Sequence, residues 1–371
     1  MKKLISLLLA VTMLLGVVSL ASAEGAAYKV AMITDSGDIT DQSFNQTTYE
    51  ACKAFCEANN VDFTYFKPAG DSDAERIAQV ENAIDQGYNV VVMPGYLFAP
   101  AIAETAELYP DVTYIALDVS KDDLNGAGLT EIPANVYCAV YQEELSGYMA
   151  GYATVKLGYT HLGFLGGMAV PAVVRFGYGY VQGADAAAQE LGVDIAIECA
   201  YGNQFYGDAD ITAAMDNWYQ NMGVQVVFAC GGGIYTSAAE AAVKVEGTKV
   251  IGVDTDQSFI INERQENLTL TSAMKGLAPT VDTMLTETVL NNNFAAFGGK
   301  VDTLGLVSEN PAENYVQLPA ETTLWGDGFT EEDYNALVGK MFRGEITVSN
   351  AIDAMPAVSE KTTVTDYGNL K

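Results

Sequence analysis

Histidine is nearly missing from this 371-residue chain, which has only His161. A lone imidazole leaves no room for a multi-histidine metal site and little for histidine-based acid–base catalysis. Positive charge is also scarce: 18 Lys and Arg face 48 Asp and Glu, for a formal charge of −30. A surface of that sign repels phosphate backbones and anionic headgroups, which argues against nucleic acid as a partner. There is no Walker A lysine and no G-x-G-x-x-G fingerprint after a first strand. Cysteine is limited to Cys52, Cys56, Cys138, Cys199 and Cys230, with no C-x-x-C motif. That scatter predicts buried free thiols rather than a disulfide framework. What the chain does have is apolar mass. Hydrophobic residues make up 49% and charged residues 18%, so this is no disordered acidic tail. On a prior of about 150 residues per domain, the length suggests two domains.

Residues 1–23, MKKLISLLLAVTMLLGVVSLASA, carry two lysines, an apolar stretch from Leu4 to Leu20 and an Ala-Ser-Ala end. That order is the pattern of a cleaved secretory signal. A retained anchor is the competing reading, because the run approaches the ~18 residues of a spanning helix. The Ala-x-Ala end favours cleavage, and loss of Lys2 and Lys3 takes the charge from −30 to −32. No cysteine lies near the cleavage point to accept a lipid. The expected product is therefore exported and soluble, either periplasmic or extracellular.

From Tyr28 onward, strand and helix patterns alternate. YKVAMIT, VDFTYF, NVVVMP and VTYIALD read as strands, separated by helical spacing over 41–58, 73–87 and 99–109. The cadence restarts after Asn135, with helices near 143–157, 171–191, 209–222 and 234–246. HLGFLGG, DIAIECAYG, VQVVFACGG and KVIGVD read as the strands between them. Such alternation predicts parallel sheets covered by helices on both faces. The fold expected is α/β, with two doubly wound parallel-sheet lobes. The remaining segment, with strands near 267–273 and 301–306 and helices near 276–292 and 329–343, is too short for a third domain. It is expected to return to both lobes. This places 24–142 with about 262–295 in the first lobe, and 143–261 with about 296–371 in the second.

Ligands of open α/β sheets bind at the carboxyl ends of the strands. Asp35, Pro94-Gly95, Asp118, Gly166-Gly167, Tyr201-Gly202, Gly231 to Gly233 and Asp254 fall there. Glycines allow close backbone approach, and carboxylates accept from hydroxyl donors. In DSGDITDQSFNQ (35–46), Asp41 or Ser43 is a candidate helix N-cap, and Asp35 and Asp38 read equally well as turn acids. Phe44 beside Asn45 adds an aromatic and an amide at the cleft-facing end of a helix. The first could stack on a flat ligand while the second hydrogen-bonds to it. The spacing of Asp35, Asp38 and Asp41 does not match a calcium loop. The loop GGGIYTS (231–237) follows a strand but contains no basic residue, so a neutral ligand suits it better than a phosphate. Glycines 177, 179 and 183 inside a predicted helix suggest close packing.

Taken in order, DSGDITDQSFNQ, IALD (115–118), GGMAVPAVVRFGYGY (166–180), ACGGG (229–233), VIGVDTDQ (250–257) and TSAMK (271–275) carry a family resemblance. The chain resembles the basic membrane protein family of ABC-transporter substrate-binding proteins, whose best understood members are purine nucleoside receptors. The resemblance implies a type I periplasmic-binding-protein fold with a hinged cleft and a nucleoside sandwiched in it. It implies stacking by Phe44 from one lobe and Phe205 from the other, with Tyr206 as the neighbouring candidate. It further implies Asn45 beside the first aromatic, Asp118, Asp254 and Lys275 at the ribose, and Gly231-Gly232 at the base edge. Asp35 holds the position of the motif's opening acid. The partners implied are a small-molecule nucleoside and a membrane permease, with no nucleic acid, no cofactor and no metal; a monomer is expected. The family's lipobox cysteine is missing here.

Elementary chemistry is compatible with those roles. Base–aromatic stacking contributes about 1–3 kcal/mol per base. Hydrogen bonds from ribose hydroxyls to ionised Asp118 and Asp254 contribute roughly 1.5–3 kcal/mol each. Two other readings stay open. One is a nucleoside hydrolase using a metal-bound water at Asp254 and Asp256; the other keeps the fold but binds a sugar or small signalling molecule.

Overall fold

The central strands follow the apolar runs, and the strands form two sheets. The structure is a computed structural model describing residues 28–371, so the expected export signal at 1–23 lies outside the described residues. In chain order the strands are β1 (Lys29–Ile33), β2 (Asp62–Phe66), β3 (Val90–Pro94), β4 (Thr113–Leu117) and β5 (Val136–Tyr141). Then come β6 (His161–Gly166), β7 (Ile195–Tyr201), β8 (Val226–Cys230), β9 (Lys249–Asp254) and β10 (Thr269–Lys275). β11 (Lys300–Leu304), β12 (Val316–Gln317) and β13 (Thr362–Asn369) complete them. The first sheet has the order β11-β5-β4-β3-β1-β2 and the second β12-β10-β9-β8-β6-β7-β13. All pairings are parallel except that of β12 with β10.

Both faces of each sheet are buried, which explains why the central strands are continuous apolar runs rather than alternating ones. In the first sheet, Val30, Met32, Val90, Val92, Ile115 and Leu117 face the helices Phe44–Asn59 and Leu277–Leu285. Their neighbours Ile33, Val91, Met93, Tyr114 and Ala116 face the opposite layer. Each such buried Val or Ile contributes roughly 1.5–3 kcal/mol. The five cysteines are buried and free, as their scatter predicts.

In the second lobe the helices Glu143–Lys156 and Pro171–Leu191 cross at backbone contact. A Cβ on Gly147, Gly151 or Gly179 would stand 2.1 Å from a carbonyl oxygen of the other helix, and one on Gly183 2.0 Å. The glycine-rich stretch is therefore a packing device. It brings the amino-terminal ends of the two helices, with Glu143 and Arg175, into one place.

Two strand assignments depart from the sequence reading. The run VYCAVY, left unassigned by the sequence reading, is strand β5, lying between β11 and β4 in the first sheet. The polar segment Thr362–Asn369 is an edge strand on β7, with only Thr362 buried. The lobe boundaries expected for the returning segment are also corrected. β10 pairs with β9 in the second sheet, and β11 pairs with β5 in the first. By sheet membership, residues 28–141 and 277–304 make the first lobe. The chain changes lobe at Gln142, Gly276 and Gly305, rather than near 262 and 296. Local patterning cannot tell which sheet a returning strand joins, because both offer an apolar edge.

Candidate functional site

The carboxyl ends of the two sheets enclose a cleft of about 650 Å³, a size suited to a small organic ligand. All ten residues singled out in the sequence line it: Asp35, Phe44, Asn45, Asp118, Phe205, Tyr206, Gly231, Gly232, Asp254 and Lys275.

The first lobe supplies the loop after β1. Asp41 accepts from the backbone N–H groups of Ser43 at 2.9 Å, Asn45 at 2.9 Å and Gln46 at 3.1 Å. Of the two candidate caps, Asp41 does the capping, and the Ser43 hydroxyl points elsewhere. Asn45 donates its amide to Asp35 at 3.0 Å and to Asp41 at 3.1 Å. Both its N–H groups are thus spent within the loop, and its carbonyl oxygen accepts the Asp35 N–H at 3.4 Å, so a ligand donor would use that oxygen's second lone pair. Burial raises the Asp35 carboxyl to about 6, against the Gly37 N–H and Asn45 amide that favour its charge. Gly95, at φ 124°, is required here, because a Cβ would stand 2.8 Å from Asp35 Oδ2.

The second lobe supplies Phe205, whose ring lies over a floor of glycine. A Cβ on Gly167 or Gly231 would stand 2.5 or 3.0 Å from the ring, and one on Gly232 2.8 Å from the Phe205 carbonyl oxygen. Gly231 and Gly232 therefore seat the aromatic. Tyr206, 62% exposed, lies at the rim, so Phe205 is the enclosed ring of the two.

At the back of the cleft Lys275 ends β10 with its ammonium among three carboxylates. Asp118 lies at 2.5 Å, Glu143 at 3.5 Å and Asp254 at 3.7 Å. The same ammonium lies 4.7 Å from the centre of the Phe44 ring. Burial alone would depress Lys275, but Asp118, Asp254 and Glu143 together raise it above the usual lysine value. Burial raises Asp118 to about 6 despite Lys275, and it raises Asp254 as well. Asp118 and Asp254 both hold left-handed backbone, at φ 60° and 66°, an uncommon conformation outside glycine. Asp118 Oδ1 is buried and has no hydrogen-bond partner, so it is an acceptor open to a hydroxyl donor. Asp256 does not join the group. It accepts from the Ser258 N–H at 2.9 Å and the Thr322 hydroxyl at 2.8 Å, away from Asp254.

Sequence reasoning missed Glu143 and Arg175. Glu143 is fully buried and takes the Arg175 Nε–H at 2.6 Å, tying Lys275 to a second cation that also lines the cleft. Arg175 is the one basic residue between 166 and 184, a signal present but unused. Glu143 was hidden because its ion pairs are with Arg175 and Lys275, far from it in sequence.

Two doubly wound lobes meeting at such a cleft form the architecture shared by solute-binding proteins. A solute-binding protein of an ABC transporter system from Aeropyrum pernix K1 superposes with a TM-score of 0.69. It is 22% identical, with 88% of this chain and 94% of that one covered. A Conexibacter woesei solute-binding protein gives a TM-score of 0.66 at 23% identity, covering 87% and 99%. The fold is the type I periplasmic-binding-protein fold. Residues 28–319 match the family described as ABC transporter substrate-binding protein PnrA-like, and the chain belongs to that family. It is 29% identical over 271 residues to the ABC transporter nucleoside-binding protein BmpA of Lactococcus lactis, covering 68% of this chain and 72% of that one. Basic membrane protein B of Borreliella burgdorferi is 29% identical over 285 residues, covering 75% and 78%. Among the described residues, no helix is long and apolar enough to cross a membrane.

Proposed function

We propose that this protein is an exported, monomeric, non-catalytic receptor that closes on a purine nucleoside and delivers it to a membrane permease. The observation that carries the reading is the unpartnered Asp118 Oδ1 beside Lys275, in a cleft walled by Phe44 from one lobe and Phe205 from the other. A nucleoside is a molecule with two flat faces and a hydroxyl-bearing sugar. Its base would stack on the aromatics, while Asp118 and Asp254 accept from the ribose and Lys275 donates to it. The name of the lactococcal relative supports the same ligand class. Closure would be selected by a ligand that touches both lobes at once.

Calorimetry with inosine, guanosine, adenosine and their monophosphates tests the assignment. Binding tighter than ~100 μM is expected for at least one nucleoside, and none at that level would sink the reading. Phe44→Ala is expected to weaken binding at least ~tenfold, by loss of a stacking face. An unchanged affinity would place the ligand elsewhere. Free hypoxanthine released from inosine would make the protein a hydrolase instead.

A further inference from the structure

We propose that Ser43 and Gln257 form a clasp between the lobes, setting ligand affinity by holding the cleft shut and Asp254 oriented, without touching the ligand. Neither residue lines the cavity, and both are fully buried. The Ser43 hydroxyl, released from capping duty by Asp41, donates across the lobe boundary to Asp254 Oδ2 at 2.6 Å. In the opposite direction, the Gln257 Nε2 amide donates to the Gln42 carbonyl oxygen at 3.0 Å.

Each end of the clasp is held in place within its own lobe. Gln257 Oε1 accepts the Val253 N–H at 3.0 Å, and the Gln257 N–H donates to Ser272 Oγ at 3.1 Å. Gly252 leaves room for this side chain, since a Cβ there would stand 2.8 Å from that of Gln257. On the other side, Gln42 holds left-handed backbone at φ 57°, as Asp254 does at φ 66°. Non-glycine residues adopt that conformation where surrounding contacts over-determine it, often at switch and ligand-clamping positions. Asp254 thereby divides its oxygens. Oδ2 is held by the opposite lobe, while Oδ1 stays near Lys275 at 3.7 Å. A ligand hydroxyl would meet a carboxylate oriented only when the lobes are together, which couples closure to binding.

The distance arm of the test rests on geometry alone, and the kinetic arm rests on the nucleoside reading. Leu108→Cys and Leu191→Cys place spin labels at positions 66% and 45% exposed, one per lobe, while the native thiols are buried. In that background Ser43→Ala removes one donor. Gln257→Met removes the other at similar side-chain length and introduces no group that could donate in its place. Both variants are expected to shift the label-to-label distance distribution away from that of the parent, toward separated lobes, while retaining a cooperative thermal melt. With inosine as probe, both are expected to speed dissociation about tenfold and change association less than about threefold, since interface changes act chiefly on off-rates. Unchanged distances in both folded variants would overturn the clasp. If inosine fails to bind the parent protein, the nucleoside reading falls, and the distances still decide the clasp.

Discussion

Glu144 stands next to Glu143 at the start of a buried helix, and burial raises its carboxyl to about 7. Its Oε2 has no hydrogen-bond partner. In the folded protein it retains a proton that the unfolded chain releases near the ordinary value of 4.5. The stability this group contributes is therefore full below about 4.5 and is lost as pH rises through about 7. Glu144→Gln, which cannot ionise, is expected to be more stable than the parent at about pH 8, by on the order of 1–3 kcal/mol. Urea unfolding should show that gap closing by about pH 4.5; a gap independent of pH would mean that the charge is not the cause. Asp118 works in the opposite sense for binding, because its acceptor is strongest when ionised. With its carboxyl raised to about 6, inosine affinity is expected to rise between about pH 5 and 7. Asp118→Asn is expected to flatten that rise and weaken binding at least ~tenfold at about pH 7 by calorimetry.

At the scale of elements, the crossing of the helices Glu143–Lys156 and Pro171–Leu191 decides where the charged groups of the cleft lie. A methyl group at Gly151 or Gly183 would meet the partner helix's carbonyl oxygen at 2.1 or 2.0 Å, so the helices must separate. Gly151→Ala and Gly183→Ala are each expected to cost about 2 kcal/mol or more in urea unfolding, as overpacked cores do. They should also weaken inosine binding, because Glu143 and Arg175 move with the helix ends. Gly126→Ala is the control: it meets nothing within 4 Å and should be neutral or slightly stabilising. An equal effect at Gly126 would remove the packing explanation. The same elements explain what was legible in the sequence. Glycines 177, 179 and 183 announced close packing, and Asp35, Asp118, Gly231, Gly232 and Asp254 were readable because a strand's carboxyl end is visible from local pattern, whereas Phe205, Tyr206 and Lys275 were reached only through the family resemblance. Glu143 was not readable, since it opens the helix expected at 143–157 and nothing local marks it as buried beside Lys275. The edge strand Thr362–Asn369 was missed because it has almost no buried face to generate a pattern. The Lys275–Asp118 contact joins groups 157 residues apart, and no local periodicity encodes such a pair.

Across the whole molecule, two sources of negative charge could reject a phosphorylated ligand. One is the surface field of a chain with a net charge of −30. The other is the carboxylate group at the back of the cleft, where the side chains of Asp118, Asp254 and Glu143 are 11%, 7% and 0% exposed. Salt separates the two. Screening acts over about 10 Å at 0.1 M and about 3 Å at 1 M, and affects exposed charges far more than buried ones. A 5′-phosphate brings about two negative charges into the cleft. Lys275 and Arg175 offer only partial compensation, since both already hold carboxylates. The nucleotide is therefore expected to bind at least ~100-fold more weakly than inosine, a difference of roughly 2.7 kcal/mol. If the buried carboxylates dominate, raising salt from about 0.02 to about 0.5 M should change that ratio less than about threefold. Calorimetric titrations at the two salt concentrations measure it. Convergence of the two affinities at high salt would assign the discrimination to the surface field, leaving the cleft carboxylates to recognise hydroxyls alone.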